Sequence, residues 1–100
     1  MQTRAILIED IPCMVNKDEF IRKFTPCGKI LAVEEFLPYP KSLIYHLGVV
    51  FSTTTAVRLA LSMHGKYVQS YAIKLIAVPD YNKWCGYAYN SNRIFTVPRD

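Results

Sequence analysis

The sequence lacks the features that several large protein classes require. It contains no apolar run near the roughly 18 residues of a membrane-spanning helix, and its first residues lack the long apolar core and small-residue cleavage site of a secretory signal. Cys13, Cys27 and Cys85 are odd in number and form no Cys-x-x-Cys pair, which is against a disulfide framework or a zinc site. We therefore expect reduced thiols, no bound metal or cofactor, and no membrane association.

Signatures of catalysis are missing as well. The chain has no Gly-rich phosphate loop, no serine–histidine–acid set and no paired catalytic carboxylates, because the adjacent Glu34 and Glu35 point to opposite faces of a strand. His46 and His64 are far apart and have no acidic or cysteine neighbours. The sequence thus predicts that this domain is not an enzyme.

The charge balance is mildly basic. Twelve lysines and arginines against eight acidic residues give a net charge of +4 and a pI near 9.1. The bases are scattered, with no run of four. This pattern permits an anionic partner but does not require one, and scattered charge is more typical of a solvated surface.

What the chain does contain is a sizeable apolar fraction, 51% of 100 residues, which is enough for one small globular domain. The apolar run Ala5–Ile11, closed by Pro12, predicts a first strand. A helix follows. Asn16 caps its start, with Glu19 as the third residue of a capping box and with Val15 and Phe20 as a hydrophobic staple. Phe20, Ile21 and Phe24 recur at helical spacing and form its buried stripe.

The second half of the chain continues this alternation. Residues 30–37 predict a second strand with a bulge in its outer half, which leaves the face of Phe36 open. Residues 45–51 predict a third strand, and Thr53 or Thr54 caps a second helix running to about Met63. The predicted inward stripe of that helix is Ala56, Leu59, Ala60 and Met63, and residues 72–78 predict a fourth strand.

The order β-α-β-β-α-β predicts an α+β, ferredoxin-like fold. In this fold a four-stranded antiparallel sheet carries both helices on one face and leaves the other face bare. We place the domain at residues 4–78. Residues 79–100 form an aromatic C-terminal extension that packs on the domain or links onward.

Across residues 4–78 the chain resembles the RNA-recognition motif (RRM) family. Ile6–Ile11 follows the hexamer of that family's first strand, with Leu7 in place of the aromatic residue and Asp10 in place of the asparagine. The phenylalanines of the first helix, followed by Gly28 and Ile30, and the string Met63-His64-Gly65 are similar to the family's other signatures. The octamer of the third strand is matched only by Val49 and Phe51, and its stacking positions fall on His46 and Gly48.

A narrower resemblance is to the RRM-like domain of COMPASS-type histone lysine methyltransferases, which end in a SET domain. It is carried by short strings: Val33-Glu34, Leu37-x-x-Pro40-Lys41, His46-Leu47-Gly48, and Thr96-Val97-Pro98 after a Tyr-rich stretch. This resemblance implies a nuclear regulatory module in a chromatin complex. It also implies that any catalytic residues lie elsewhere in a longer parent chain.

Strand alternation predicts which side chains lie on the bare face of the sheet: Leu7, Glu9, His46, Gly48, Val50, Lys74 and Ile76. A shift by one residue in the third strand would place Leu47 and Val49 there instead. In the first register a single imidazole is the only ring, so the base stacks that make this family bind RNA tightly are missing. The exposed patch of Leu7, Val50 and Ile76 predicts that something covers it.

Two functions remain open at this point. One is weak or atypical binding of single-stranded RNA, through peripheral bases and through tail residues that interleave rings and charge: Tyr81, Lys83, Trp84, Tyr87 and Tyr89. The other is binding of a protein partner through the apolar sheet or through Val57 and Leu61, which have no obvious core role on the second helix. We expect the isolated domain to be a monomer.

Overall fold

The computed structural model describes residues 3–79 and 90–92. Seven strands and two helices follow one another along this part of the chain, with a 3-10 turn at Thr25–Cys27 after the first helix. Their bounds are β1 Ala5–Pro12, α1 Lys17–Phe24, β2 Ile30–Leu37, β3 Ile44–Phe51, α2 Thr54–Leu61, β4 Tyr67–Val68, β5 Tyr71–Ala72, β6 Leu75–Val78 and β7 Asn90–Asn92.

The main sheet is five-stranded and antiparallel, in the order β6-β1-β3-β2-β7. Strands β6, β1, β3 and β2 form, with the two helices, the predicted β-α-β-β-α-β arrangement. The ferredoxin-like fold is therefore confirmed. β7 extends the sheet beyond β2, where Ser91 pairs with Phe36. β4 and β5 form a separate two-stranded hairpin.

The first helix begins where its sequence signals predict. The Asn16 side chain accepts a hydrogen bond from the backbone N–H of Asp18 at 2.9 Å, which satisfies one of the free donors at the helix start. Val15 and Phe20, the predicted staple, are both buried. The Glu19 carboxylate accepts a hydrogen bond from Arg22 at 3.0 Å, on the exposed side of the helix.

The second helix is capped by Thr53, whose hydroxyl accepts from the N–H of Ala56 at 3.2 Å. Its buried side is Ala56, Val57 and Ala60. The predicted inward position of Leu59 is therefore wrong, since that side chain is 50% exposed, and so is the predicted exposure of Val57, which is buried. The cause is Gly28: a Cβ on this glycine would lie 2.5 Å from the Ala56 Cβ, so this close approach fixes the rotation of α2.

The last long strand is shorter than predicted. Residues 72–74 were expected in it, but β6 begins at Leu75, and Tyr71–Ala72 pairs with Tyr67–Val68 instead. The backbone of Ile73 closes the hairpin, because its carbonyl accepts from Gly65 and its N–H donates to Lys66, both at 2.7 Å. Gly65 has a φ of 84°, a conformation that glycine adopts without steric cost.

Two groups of buried side chains lie on the two faces of the sheet. The larger group packs between the sheet and the helices and includes Phe20, Phe24 and Phe51. The smaller group lies on the other face and consists of Ala5, Leu7, Phe36, Val50 and Val78, with Leu31 and Ala32 packed against it. The face that the fold was expected to leave bare therefore has a core of its own.

Candidate functional site

The strand register defines the face of the sheet that lies opposite the helices. Leu7 pairs with Gly48 on β3 and with Ile76 on β6, and Ala5 pairs with Val50 and Val78. Leu47, Val49 and Phe51 belong to the helix-side core. The first of the two registers considered for the third strand is thus the observed one, and His46, Gly48 and Val50 lie on the helix-free face. We call this surface the sheet face.

The centre of the sheet face is not open to solvent. Leu7 is 0% exposed and Val50 is buried, whereas Ile76, nearer the sheet edge, is 39% exposed. The predicted exposed patch of Leu7, Val50 and Ile76 is accordingly wrong for its first two members. Gly48 is also buried, so no base can lie against the middle of the sheet in this conformation.

Phe36 is the aromatic residue of the sheet face that sequence reasoning left unplaced. It pairs with His46 on β3 and is 1% exposed, so the imidazole is not the only ring of this face. The expected bulge in the outer half of β2 is wrong, because the register shift falls between Ile30 and Ala32. Regular alternation from the inward Val33 would have placed Phe36 outward.

A polar network closes the end of the sheet face next to His46. The β1 strand bulges between Ile8 and Ile11, and Asp10 there has a φ of 57°, a conformation that aspartate tolerates better than most residues. The Asp10 N–H donates to His46 Nδ1 at 3.1 Å. His46 is buried, with 8% of its surface exposed.

Lys74 and Tyr71 tie the bulge to the hairpin. The Lys74 ammonium lies 3.1 Å from Asp10 Oδ2, and this hydrogen bond raises the pKa of Lys74. The Tyr71 hydroxyl donates to the Glu9 carbonyl and accepts from the Lys74 N–H, and burial raises the pKa of Tyr71. Lys74 is thus exposed but already paired with a carboxylate, which weakens it as a phosphate ligand.

A groove between the two helices has a volume of about 570 Å³. Its walls combine apolar and charged side chains from the end of α1, the 3-10 turn and the end of α2: Glu19, Arg22, Lys23, Pro26, Cys27, Leu59, Ser62 and Met63. Burial raises the pKa of the Cys27 thiol, which disfavours the reactive thiolate. Sequence reasoning missed this groove because it placed Leu59 in the core.

The remaining predicted site residues divide into two groups. Leu61 is exposed, but Val57 is buried in the helix-side core, so the two do not form a joint surface. The predicted tail positions lie outside the described residues: Tyr81, Lys83, Trp84, Tyr87 and Tyr89. Within residues 3–79 and 90–92, no group of three or more histidine, cysteine or acidic side chains could hold a metal ion. No helix of that part is long and apolar enough to cross a membrane.

The fold is shared with solved structures of RRM domains. A structure of the RNA15 RRM superposes with a TM-score of 0.67 at 12% identity and covers 82% of this chain and 97% of that one. The three N-terminal RNA-binding domains of the yeast splicing factor Prp24 give 0.61 at 19% identity, covering 72% of this chain and 31% of that one. The Nab3 RRM, described as recognising a cis element of non-polyadenylated RNAs, gives 0.58 at 19%, covering 77% and 96%.

At these identities the likeness establishes the RRM fold. No family model matches the chain, and no curated protein does.

Proposed function

We propose that this domain is a non-catalytic binding module of the RRM fold that binds single-stranded nucleic acid weakly and with little sequence preference. The observation that carries the proposal is the state of the sheet face. Leu7 and Gly48 occupy positions where the family stacks bases, and both available rings, Phe36 and His46, are nearly inaccessible. Each missing stack removes roughly 1–3 kcal/mol of binding.

Without stacking, affinity has to come from charge at the periphery. The net charge of +4 favours association with a polyanion, and such contacts release counterions, so binding weakens as salt rises. Lys74 and His46 lie at the polar end of the sheet face. Lys83, with Tyr81, Trp84, Tyr87 and Tyr89, would supply further charge and rings from the extension.

We place this module in the nucleus, as part of a histone lysine methyltransferase complex of the COMPASS type, and expect the isolated domain to be a monomer. The support is the set of strings that resemble that subfamily, among them Leu37-x-x-Pro40-Lys41 and His46-Leu47-Gly48. Catalysis would then belong to the parent chain. A SET domain downstream in the full-length gene product would support this placement, and a full-length product without one would contradict it.

An amide chemical-shift titration tests the binding mode. Short single-stranded RNAs are added at 50 and 200 mM salt. We expect shifts at Lys74, His46 and Trp84 that shrink strongly at the higher salt, with little change at Leu7 and Gly48. Saturable shifts across the centres of β1 and β3 would contradict the proposal, because they would show base stacking on the sheet. Complete silence at low salt would contradict nucleic-acid binding altogether.

The groove between the helices favours a second candidate function, the binding of a protein partner. Leu59 is half exposed and Met63 partly buried beside it, with Arg22 and Lys23 on the rim. An apolar side chain flanked by acidic residues would match this lining. For this function, Leu59→Lys should abolish salt-tolerant partner binding without changing RNA shifts. Unchanged partner binding by this variant would exclude the groove.

A further inference from the structure

Two tyrosine rings are exposed in the described part of the chain, and one of them lies in a loop. Of the phenylalanine and tyrosine side chains within residues 3–79 and 90–92, only Tyr39 and Tyr67 are exposed, at 54% and 65%. Tyr67 belongs to β4, where the strand propensity of tyrosine accounts for it. Tyr39 lies in the β2–β3 loop, residues 38–43. Neither core packing nor strand propensity therefore explains the tyrosine at position 39.

The β2–β3 loop holds Tyr39 in a stiff turn. Pro38 and Pro40 flank the tyrosine and fix the backbone φ angle on both sides of it. The Ser42 N–H donates to the Tyr39 carbonyl at 3.3 Å, which closes a turn with Pro40 and Lys41 as its central residues. The loop is thus restricted before a ligand binds, so a ligand on the Tyr39 ring would lose little affinity to loop ordering.

Lys41 occupies a turn position that glycine or asparagine usually fills. Its φ is 57°, in the left-handed region that is unfavourable for lysine. Strained backbone of this kind is concentrated at functional sites. The turn itself does not account for the lysine, because glycine or asparagine would form it more readily.

The charge of Lys41 is available to a ligand. Its side chain is exposed and forms no ion pair with residues 3–79 and 90–92. By contrast, the Lys17 ammonium lies 3.7 Å from Glu35, and the Lys74 ammonium lies 3.1 Å from Asp10. Lys41 can therefore contact a phosphate without first giving up a carboxylate partner.

Exposed apolar side chains lie beside this loop. Leu43 is 74% exposed and Met14 is 82% exposed. The Cys13 N–H donates to the Leu43 carbonyl at 2.9 Å, so the turn that carries Met14 lies next to the end of the β2–β3 loop. Apolar side chains that cluster on a surface mark binding sites. The flat face of a base offers a surface that can cover them.

We propose that the β2–β3 loop binds one nucleotide of a single-stranded nucleic acid, with the base stacked on Tyr39 and a phosphate at Lys41. This inference rests on the proposed nucleic-acid binding and locates one base stack outside the sheet face. The loop follows the end of β2, where Phe36 pairs with His46, so it continues the polar end of the sheet face. A ring beside a cation binds single strands with little sequence preference, because every base has a flat face.

Abasic strands separate base stacking from charge. The probes are labelled oligouridines of about eight nucleotides and strands of the same length with abasic riboses, and fluorescence polarisation at 50 mM salt measures their affinities for the full chain. We expect Tyr39→Ala to bind oligouridine at least about 5-fold more weakly, with unchanged affinity for the abasic strand. Tyr67→Ala is the matched control, because it removes the other exposed ring and should leave both affinities unchanged.

A lysine variant tests the phosphate contact. Lys41→Asn removes the ammonium and keeps a residue that tolerates the left-handed turn position. It should weaken binding to both strands alike and reduce the slope of log K against log salt by about 0.7. Lys66→Asn, beside Tyr67, removes the same charge from the hairpin and should leave the slope unchanged.

The outcomes distinguish this inference from the proposed function. If the unmodified chain binds oligouridine and Tyr39→Ala binds it equally well, the inference is overturned and nucleic-acid binding stands. Loss of a protein partner instead, with oligouridine affinity retained, would likewise overturn it by assigning the loop to that partner. Equal losses in Tyr39→Ala and Tyr67→Ala would also contradict the inference. No binding of oligouridine by the unmodified chain would overturn both.

Discussion

Tyr45 shows how one buried side chain can connect the core to alkaline stability. Its hydroxyl donates to the Val15 carbonyl at 2.6 Å, just before the start of α1. Burial, followed by the nearby Glu35 carboxylate, raises the pKa of Tyr45 far above its usual range. The unfolded chain releases this proton near pH 10, whereas the folded protein keeps it.

The resulting stability is fully present below about pH 10 and is lost as the pH rises toward the folded-state pKa. One such group lowers the free energy of unfolding by up to about 1.4 kcal/mol per pH unit in that range. Tyr45→Phe should remove the part of the fall in the free energy of unfolding above about pH 10 that this hydroxyl causes. At pH 7 the variant should be less stable by about 1 kcal/mol, because the hydrogen bond is lost. Urea unfolding between pH 7 and 11 measures both effects.

Tyr67→Phe is the matched control, because Tyr67 is exposed and should leave the pH dependence unchanged. If Tyr45→Phe and the unmodified protein lost stability in parallel above pH 10, the proposed role of Tyr45 would be wrong.

The position of α2 depends on a contact between two elements. Gly28, after the 3-10 turn, lies so close to Ala56 that a Cβ would come within 2.5 Å of the alanine Cβ, a distance that forces the helix to move. Gly28→Ala should therefore destabilise the domain by about 1–3 kcal/mol. Ala56→Gly alone should cost about 1 kcal/mol through helix propensity.

The exchange of the two residues tests this contact. In the double variant Gly28→Ala, Ala56→Gly the methyl group merely changes sides, so the cost should be clearly smaller than the sum of the single costs. A double-mutant cycle from urea unfolding measures the difference. Strict additivity would show that the clash does not govern the packing of α2.

The same elements show what local sequence can predict. Caps and breakers such as Asn16, Thr53 and Gly65 act on their own turn, so the presence and order of helices and strands could be read directly. The rotation of α2 could not, because it depends on Gly28, which lies far from the helix in sequence. Strand alternation gives the face of Phe36 only when the position of the β2 bulge is known.

The sequence predicted which side chains lie on the sheet face, but it did not predict that they are buried. Strand alternation placed Leu7, His46, Gly48 and Val50 on the sheet face, where the structure has them. Their burial could not be predicted, because strand alternation gives the face on which a side chain lies and not what packs over that face. Tyr71 and the groove beside Leu59 were missed for related reasons, since both depend on the short hairpin and on the rotation of α2.

Removal of the extension should destabilise the whole domain. Truncation after Asp80 deletes β7, which pairs with Glu35, Phe36 and Leu37, and should expose part of the Phe36 side chain, whose burial is worth about 1.5–3 kcal/mol. For a domain of this size, 1 kcal/mol corresponds to about 4–8 °C. We expect thermal unfolding monitored by circular dichroism to show a Tm lower by at least about 6 °C.

Truncation after Asn92 is the matched control, because it keeps both segment 80–89 and β7. Its Tm should remain close to that of the full chain. Equal Tm values for the full chain and the chain ending at Asp80 would contradict a stabilising role of β7.

β7 also has a consequence for association between molecules. An edge strand with free backbone groups is a template for pairing with another chain, and the eight-residue β2 would be such an edge in a four-stranded sheet. The short segment Asn90–Asn92 pairs with Glu35, Phe36 and Leu37 and has a sequence, Asn-Ser-Asn, of low strand propensity. This segment therefore pairs with the outer half of the longest edge and is itself a poor template for another strand. It thus limits aggregation through β-strand addition.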